Sequence, residues 1–209
     1  MKQKLSGLYL ITDRRLTDKA GLVPAVAEAI QGGVSIVQYR NKHANRERKL
    51  WEISDLATLC RPLGIPLIVN DDTDLVIESG ADGVHLGSDD GSVEEARKLL
   101  GNEAIIGVSC YNSFDSARMA AEQGADYIAF GRFFPSQTKP DAVHATTEVL
   151  TQARTELQLP IVAIGGVDSS NGKSLIDAGA DMLAVINAVL GATNIQQAAQ
   201  DIANLFDTK

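Results

Sequence analysis

The chain has little cysteine, few aromatic residues and no excess of basic charge. Cys60 and Cys110 are its only cysteines, too few for a disulfide framework and typical of a reducing cytoplasm. Its 19 basic and 27 acidic side chains give a formal net charge of −8, whereas binding along a phosphate backbone favours a basic surface. The composition therefore argues against nucleic acid as the main partner and predicts a cytoplasmic protein.

Long apolar runs are also missing. No run approaches the ~18–20 residues of a membrane-spanning helix. The first seven residues, MKQKLSG, carry charge but lack the apolar segment of about 7–15 residues found in a signal peptide. We therefore expect no membrane association and no secretion. The 44% of hydrophobic residues still predicts a folded chain with a sizeable core.

Several catalytic signatures are absent as well. The sequence contains no Cys/His spacing of a zinc site, no Walker loop and no GxSxG nucleophile turn. Cys110 and His85 are interpreted as packing residues, and His43 and His144 as exposed. Any catalytic site must then be sought in other polar residues.

Eight short apolar segments alternate with helical patterns from end to end. Seven of them lack the strict polar alternation of a half-exposed sheet, which is typical of buried parallel strands. The predicted strands are 7–12, 34–39, 66–70, 83–86, 104–108, 126–130, 160–164 and 182–186.

The intervening segments carry helix-capping and helix-ending signals. Ser92 and Glu95 predict a capping box, and Asn112 is predicted to cap the next helix. The tripeptide Gly-Ala-Asp precedes three of the predicted strands, at 80–82, 124–126 and 179–181. Its glycine is suited to end a helix, so each tripeptide predicts a turn from helix to strand.

Eight strand–helix units in about 200 residues predict a (β/α)8 barrel. A doubly wound open sheet is the alternative. Because no linker or charge run divides the sequence, we expect residues 1–209 to form a single domain.

Polar side chains are concentrated where the predicted strands end. Gln38, Arg40 and Lys42 occupy alternate positions at the end of the second strand, which predicts that they share one face. Lys139 follows the sixth strand. Because the carboxyl ends of the strands carry the active site in both candidate folds, these cations predict an anion site, and a solvated strand end is the alternative.

Two carboxylates follow neighbouring strands. Asp71 comes after the third strand and Asp90 after the fourth. Carboxylates with open water positions suit Mg²⁺, which commonly binds substrate phosphates as well. Helix capping by Asp71 or Asp72, and turn formation by Asp89 and Asp90, are the alternatives. With the cations nearby, the metal interpretation predicts a pyrophosphate site.

A second phosphate site is predicted on the same rim. Gly165 and Gly166 follow the seventh strand, where barrels commonly bind phosphate through backbone N–H groups. A glycine pair alone is weak support, since glycines end strands in many α/β proteins.

In this setting an ordered set of motifs resembles the thiamine-phosphate synthase family, whose members are (β/α)8 enzymes that join the two halves of thiamine. The motifs are LYLITD at 8–13, QYRNK at 38–42, VNDD at 69–72, GVHLGSDD at 83–90, GVS at 107–109, PSQTK at 135–139 and IGGV at 164–167.

The resemblance implies a role for each matching residue. The aminopyrimidine-methyl pyrophosphate is expected to bind to Gln38, Arg40, Lys42, Asn70, Ser109 and Lys139, with Arg40, Lys42 and Lys139 as the catalytic cations. The thiazole phosphate is expected to bind to Ser136, Gln137, Thr138, Gly166, Ile186 and Asn187. Asp71 and Asp90 are expected to bind Mg²⁺.

Three residues depart from the family pattern. Members commonly have threonine in place of Ser136, proline in place of Arg132 and serine in place of Asn187. The hydroxyl survives at Ser136, Arg132 adds a cation, and Asn187 can still donate a hydrogen bond to the thiazole phosphate.

The implied reaction is loss of pyrophosphate from the pyrimidine arm, followed by capture of the carbon by the thiazole nitrogen. The alternatives are a thiazole tautomerase-like enzyme, a non-catalytic relative that binds thiazole or thiamine phosphate, and an unrelated phosphate-binding barrel. The partners are then small molecules. The sequence leaves the oligomeric state open, a homo-oligomer included.

Overall fold

The computed structural model describes residues 5–18, 20–135 and 144–207. Within these ranges eight parallel strands form a closed barrel in chain order, and the last strand pairs with the first. The predicted (β/α)8 barrel is confirmed, and the open-sheet alternative is wrong. The strands are β1 (Gly7–Ile11), β2 (Val34–Tyr39), β3 (Leu67–Asn70), β4 (Gly83–Leu86), β5 (Ile105–Tyr111), β6 (Tyr127–Phe130), β7 (Ile161–Ile164) and β8 (Met182–Val185).

Helices cover the outside of the barrel. They are α1 (Arg14–Thr17), α2 (Leu22–Gln31), α3 (Arg46–Cys60), α4 (Thr73–Ser79), α5 (Val93–Leu100), α6 (Phe114–Glu122), α7 (Thr147–Glu156), α8 (Gly172–Asp177), α9 (Asn187–Leu190) and α10 (Ile195–Ala203). Short 3₁₀ turns occupy Arg61–Leu63 and Asn204–Phe206. In the described part of the chain, no helix is both long enough and apolar enough to cross a bilayer.

Alternation along the strands separates two layers of core. On β1, Leu8 and Leu10 pack outward among the helices, while Tyr9 and Ile11 point into the barrel. The barrel interior is filled by side chains from several strands, as is usual for this fold. Its buried members are Leu5, Tyr9, Ile11, Ile36, Ile68, Tyr127, Ala129, Val162, Met182 and Ala184.

The Gly-Ala-Asp tripeptides have a structural role beyond the predicted turn. Each aspartate accepts a hydrogen bond from a backbone N–H at the start of the preceding strand, which ties neighbouring strands together at the amino end of the barrel. The donor–acceptor pairs are Leu67–Asp82 at 2.8 Å, Ile106–Asp126 at 2.8 Å and Ile161–Asp181 at 3.0 Å. These aspartates therefore stabilise the barrel at the end opposite the expected active site.

Two local predictions differ from the structure. Ser113, rather than Asn112, caps α6 through its hydroxyl, and Asn112 accepts a hydrogen bond from the backbone of Thr146 instead. Both residue types cap helices well, so the sequence could not separate adjacent candidates. The fifth strand also runs on to Tyr111, because its pairing register shifts between Ser109 and Tyr111 and such an irregularity hides the continuation of a strand. The capping box of Ser92 and Glu95 is confirmed.

Candidate active site

The carboxyl ends of the strands open into a pocket of about 380 Å³, a size typical of small-molecule sites. On one side it is lined by four residues expected to bind the pyrimidine pyrophosphate, Gln38, Arg40, Asn70 and Ser109. On the other side it is lined by three residues expected to bind the thiazole phosphate, Gly166, Ile186 and Asn187. The pocket thus brings together residues from both expected subsites.

Lys42, Asp71 and Asp90 form a charged cluster beside this pocket. Lys42 and Asp71 line an adjoining pocket that shares Asn70 with the first, and the Lys42 Nζ lies 3.9 Å from the Asp71 Oδ2. The Asp71 carboxyl contacts the Asp90 carboxyl. Burial and the neighbouring Asp90 raise the pKa of Asp71 despite the nearby Lys42 and Arg40. Two carboxylates in contact repel each other when both are ionised, and either a retained proton or a bound cation relieves this repulsion.

The backbone separates the roles of the two adjacent aspartates. Asp72 caps α4, accepting a hydrogen bond from the Leu75 N–H at 3.0 Å. Asp71 has a φ of +69°, a conformation uncommon outside glycine and typical of functional sites. Its N–H is held by the carbonyl of His85 on β4, at 2.9 Å. The capping alternative therefore applies to Asp72, and Asp71 is turned toward Asp90.

The donors of this cluster fit Mg²⁺. Within the described ranges, no group of three or more His, Cys, Asp or Glu side chains converges as a metal cage. Mg²⁺ does not need one, since it is commonly held by one or two carboxylates, waters and substrate phosphates. Asp71 and Asp90 supply such a pair next to cationic side chains.

The end of β2 differs from the simple alternation that the sequence predicts. Gln38 and Arg40 do line the same pocket. The strand ends at Tyr39, however, so strand geometry does not extend to Lys42, which lies in the adjoining pocket. Thr12 fixes the turn between them, its hydroxyl accepting a hydrogen bond from the Arg40 N–H at 2.8 Å.

A buried carboxylate on α3 anchors the segment between Arg40 and Lys42. Glu52 is only 3% exposed. It accepts hydrogen bonds from Asn41 Nδ2 at 3.0 Å and Tyr39 Oη at 2.8 Å, and Arg48 lies 2.6 Å away. Burial alone would raise the pKa of Glu52, but these hydrogen bonds outweigh it and hold the pKa below its usual value. Glu52 could not be recognised from the sequence, because a single glutamate on a charged helix has no distinguishing pattern.

Three polar residues inside the barrel were also missed as parts of the site. His85 lines the pocket and hydrogen-bonds to Ser109 at 2.9 Å, so the packing interpretation of this histidine is incomplete. Its other ring nitrogen lies 2.9 Å from the hydroxyl of Tyr127, which contacts the hydroxyl of Tyr9 at 2.7 Å. Tyrosines within the apolar segments LYLIT and DYIAF were the available signal, since a buried phenol needs a hydrogen-bond partner.

The glycine pair after β7 allows a close approach of the chain. A Cβ at Gly165 would lie 2.2 Å from the Cβ of Arg132, and one at Gly166 would lie 2.4 Å from the carbonyl oxygen of Pro135. The segment after β6 therefore packs directly on the glycines. Arg132 lines the pocket at this point, next to the residues expected to bind the thiazole phosphate.

Four expected site residues, Ser136, Gln137, Thr138 and Lys139, lie outside the described residues, and their roles stay predictions. Cys110 is buried beside Ser109, and burial raises the pKa of its thiol to about 12, which suits a packing residue rather than a nucleophile. His43 and His144 are exposed, as expected.

Comparisons with known proteins agree with this geometry. The family model described as thiamine monophosphate synthase matches residues 8–189. The chain is 50% identical over 200 residues to a thiamine-phosphate synthase of Methylococcus capsulatus, covering 96% of this chain and 89% of that protein. It is 48% identical over 200 residues to that of Thiobacillus denitrificans, covering 96% and 94%.

The fold of a solved relative agrees as well. A thiamine phosphate pyrophosphorylase from Pyrococcus furiosus has a TM-score of 0.86 to this chain at 33% identity, over 96% of this chain and 95% of that one. The match of sequence and of fold extends along nearly the whole length. The chain therefore belongs to the thiamine monophosphate synthase family, whose members are transferases that join a pyrimidine pyrophosphate to a thiazole phosphate.

Proposed function

We propose that this chain joins 4-amino-2-methyl-5-(diphosphooxymethyl)pyrimidine to a (carboxy)hydroxyethylthiazole phosphate, with bound Mg²⁺, to give thiamine phosphate and pyrophosphate, and also CO₂ where the thiazole carries the carboxylate. The observation that carries the proposal is the arrangement at the barrel rim. Gln38, Arg40 and Asn70 line one pocket, and the contacting carboxylates of Asp71 and Asp90 lie beside it.

The bond changes need neither a strong base nor an enzyme nucleophile. The bond between the pyrimidine CH₂ carbon and the pyrophosphate oxygen breaks, and both electrons leave with the oxygen. The ring amino group donates electron density to the carbon, which stabilises the positive charge. The lone pair of the thiazole nitrogen then forms the new carbon–nitrogen bond. The protein mainly has to stabilise the leaving group and keep water away from the cation.

Arg40 and Lys42 are proposed to bind the pyrophosphate as its negative charge grows. A guanidinium can hold two phosphate oxygens at once, and an ammonium acts as a mobile point charge. Thr12 supports this role by fixing the backbone of Arg40, and Glu52 does so by anchoring Asn41 between the two cations. Lys139, beyond the described residues, is proposed as the third cation.

Asp71 and Asp90 are proposed to hold Mg²⁺, which would neutralise charge on the pyrophosphate oxygens when bound. The fit rests on the contact between the two carboxylates and on the raised pKa of Asp71. Lys42 supports it by balancing the remaining charge, 3.9 Å from Asp71.

Gln38, Asn70 and Ser109 are proposed to orient the pyrimidine. The thiazole phosphate is proposed to bind on the opposite side of the pocket, near Gly166, Ile186 and Asn187, with Ser136, Gln137 and Thr138 completing the subsite. The position of the glycine pair supports this, because it follows β7 at the carboxyl end of the barrel, where barrels commonly bind phosphate through backbone N–H groups.

The reaction is proposed to take place in the cytoplasm, where the two buried, unpaired thiols of Cys60 and Cys110 stay reduced. A homo-oligomer is also proposed, and light scattering on the purified protein would measure its mass directly. A monomeric mass at working concentration would contradict that part of the proposal.

The test mixes purified protein, both phosphorylated substrates and Mg²⁺, and measures thiamine phosphate and pyrophosphate. We expect both products in equal amounts and no turnover after chelation of the metal. A folded preparation that forms no product would overturn the proposal. Thermal stabilisation by thiazole phosphate without any turnover would indicate a binding protein instead.

A further inference from the structure

Five polar side chains form one continuous chain of hydrogen bonds across the barrel interior. In order they are Gln38, Tyr9, Tyr127, His85 and Ser109, with successive distances of 2.8, 2.7, 2.9 and 2.9 Å. Both ends of the chain, Gln38 and Ser109, line the substrate pocket. The middle of the chain lies beneath it.

The two tyrosines in the middle are sealed from solvent. Tyr9 is 1% exposed and Tyr127 is fully buried. Burial raises the pKa of both phenols above the usual value, so each keeps its proton at neutral pH. A buried hydroxyl that finds no acceptor is costly, and no buried side-chain nitrogen or oxygen in the described residues lacks a partner.

The aromatic rings of this series of hydrogen bonds are also closely packed. The Tyr9 and Tyr127 rings meet edge to face with centroids 5.9 Å apart, and His85 stacks on Tyr127 at 5.6 Å. Gly107 makes the space for Tyr127, because a Cβ there would lie 1.9 Å from the Tyr127 Cζ. The hydroxyls cannot easily turn to other partners.

With the Gln38 Nε2 facing Tyr9, proton counting gives this series of hydrogen bonds one direction. The Gln38 Nε2 can only donate, so the Tyr9 hydroxyl accepts from it. The Tyr9 hydroxyl then donates its own hydrogen bond to the Tyr127 hydroxyl. Tyr127 in turn donates to the Nδ1 of His85, which places the imidazole proton on Nε2. That proton is donated to the Ser109 Oγ. The hydroxyl proton of Ser109 is thereby left to point into the pocket.

The opposite direction is equally self-consistent but requires a turned amide. If the Gln38 Oε1 faced Tyr9, every bond in the chain would reverse, and Ser109 would donate to His85. Ser109 would then offer only a lone pair to the pocket. The two ends of the chain therefore change their hydrogen-bonding character together.

We propose that Tyr9, Tyr127 and His85 are positioning residues that select an amino-substituted pyrimidine over its 4-oxo counterpart. They do so by holding an amide acceptor toward the pocket at Gln38 and a hydroxyl donor at Ser109. An aminopyrimidine offers the matching amino N–H and ring-nitrogen lone pair. A 4-oxo pyrimidine offers a carbonyl and a ring N–H, so its polarity is reversed. The inference rests on the proposed function, in which the pyrimidine lies between Gln38 and Ser109.

The test compares binding of the amino substrate with inhibition by its 4-oxo analogue, in wild type and in Tyr9→Phe and Tyr127→Phe. A phenylalanine removes the hydroxyl that transmits the direction, so either end can adopt either polarity. We expect the preference for the amino compound to fall by about tenfold in each variant, the effect of about one hydrogen bond. Thr151→Val is the control, since the Thr151 hydroxyl is exposed on α7 and donates to the carbonyl of Thr147, and its loss should leave the preference unchanged.

Folded Tyr9→Phe and Tyr127→Phe proteins that keep the wild-type preference would overturn the inference, as would an equal loss in Thr151→Val. These outcomes are distinct from failure of the proposed function, in which wild type itself forms no product.

A second measurement needs no folded variant of the tyrosines. In wild type carrying ¹⁵N-labelled histidine, the His85 resonances should report a proton on Nε2 and none on Nδ1. Substitutions of the exposed His43 and His144 assign the signals. A neutral His85 with its proton on Nδ1 would contradict the direction of the chain and overturn the inference.

Discussion

At the scale of single residues, the site depends on an unfavourable arrangement that a ligand can relieve. Asp71 has left-handed backbone geometry and contacts the carboxyl of Asp90. Such strain is retained where the surrounding structure imposes it, commonly at functional sites. In the proposed function this ligand is Mg²⁺ bound to pyrophosphate, a cation that itself carries an anion and so suits both the two carboxylates and the nearby Lys42 and Arg40.

Asp71→Asn should make the metal-free protein more stable at neutral pH. The pKa of Asp71 is raised in the folded state, so its ionisation costs stability as the pH rises through that raised pKa. Asparagine removes this cost and tolerates a positive φ. Calorimetry at pH 7 should show a higher melting temperature, and this difference should disappear below the ordinary pKa of aspartate. The variant should also lose stabilisation by Mg²⁺ with pyrophosphate; retention of that effect would contradict the metal assignment.

Arg40→Ala should lower turnover by about 10²–10³-fold while the protein stays folded, because removing one fixed charge-stabilising group typically has this effect. Steady-state assays of pyrophosphate release, with circular dichroism as the folding check, measure it. Arg118→Ala is the matched control, since Arg118 is half-exposed on α6 and paired with Asp115. Equal activities of the two variants would contradict the role of Arg40.

At the scale of elements, the β2–α3 unit is built to present the two cations of the rim. β2 ends at Tyr39, and from there the chain is fixed by side chains rather than by the sheet. The Asn41 Oδ1 accepts hydrogen bonds from the N–H groups of His43 and Ala44, at 3.3 and 3.2 Å, while its amide nitrogen donates to Glu52. The Glu52 carboxylate on α3 thus fixes the position of the loop that carries Arg40 and Lys42.

Glu52→Ala should destabilise the protein by about 2–4 kcal/mol, because it leaves the buried Tyr39 hydroxyl and Asn41 amide without an acceptor. The melting temperature should fall by roughly 5–15 °C, and the KM for the pyrimidine pyrophosphate should rise. Glu52→Gln keeps an acceptor oxygen, so its loss of stability should be smaller than that of Glu52→Ala. An alanine variant with wild-type stability and KM would show that the loop does not depend on Glu52.

The same pair of variants has a pH signature. The pKa of Glu52 is lowered in the folded state, so its ionised form contributes stability above the ordinary pKa of glutamate, and this contribution is lost as the pH falls through the lowered pKa. Urea unfolding between pH 3 and pH 7 should therefore show the gap between wild type and Glu52→Gln closing in acid. A gap that is constant across this range would contradict the assignment.

At the scale of the whole molecule, the barrel and most of its rim could be predicted from sequence because both follow from local patterns. Short apolar segments gave the strands, and position after a strand placed Arg40, Asp71 and Ser109 at one end. Long-range contacts were not predictable in this way. Tyr9 and Tyr127 are 118 residues apart and carry no shared motif. Asn112 and Ser113 illustrate the other limit, since two adjacent residues satisfied one capping rule equally well.

The sequence also could not show which aspartates stabilise the barrel and which belong to the candidate site. Asp82, Asp126 and Asp181 read as turn residues, yet they join neighbouring strands at the amino end. Asp71 and Asp90, of the same residue type, lie at the carboxyl end and face each other. Only the closed barrel separates structural aspartates from those suited to a metal.

The most direct test of the account is the affinity of the folded protein for inorganic pyrophosphate, measured by titration calorimetry with and without Mg²⁺. If one end of the barrel is a receptor for a metal-bound diphosphate, Mg²⁺ should tighten binding by about tenfold or more, which is ~1.4 kcal/mol. Asp90→Asn should abolish that gain. Pyrophosphate binding that is indifferent to Mg²⁺, or unchanged in Asp90→Asn, would contradict the account.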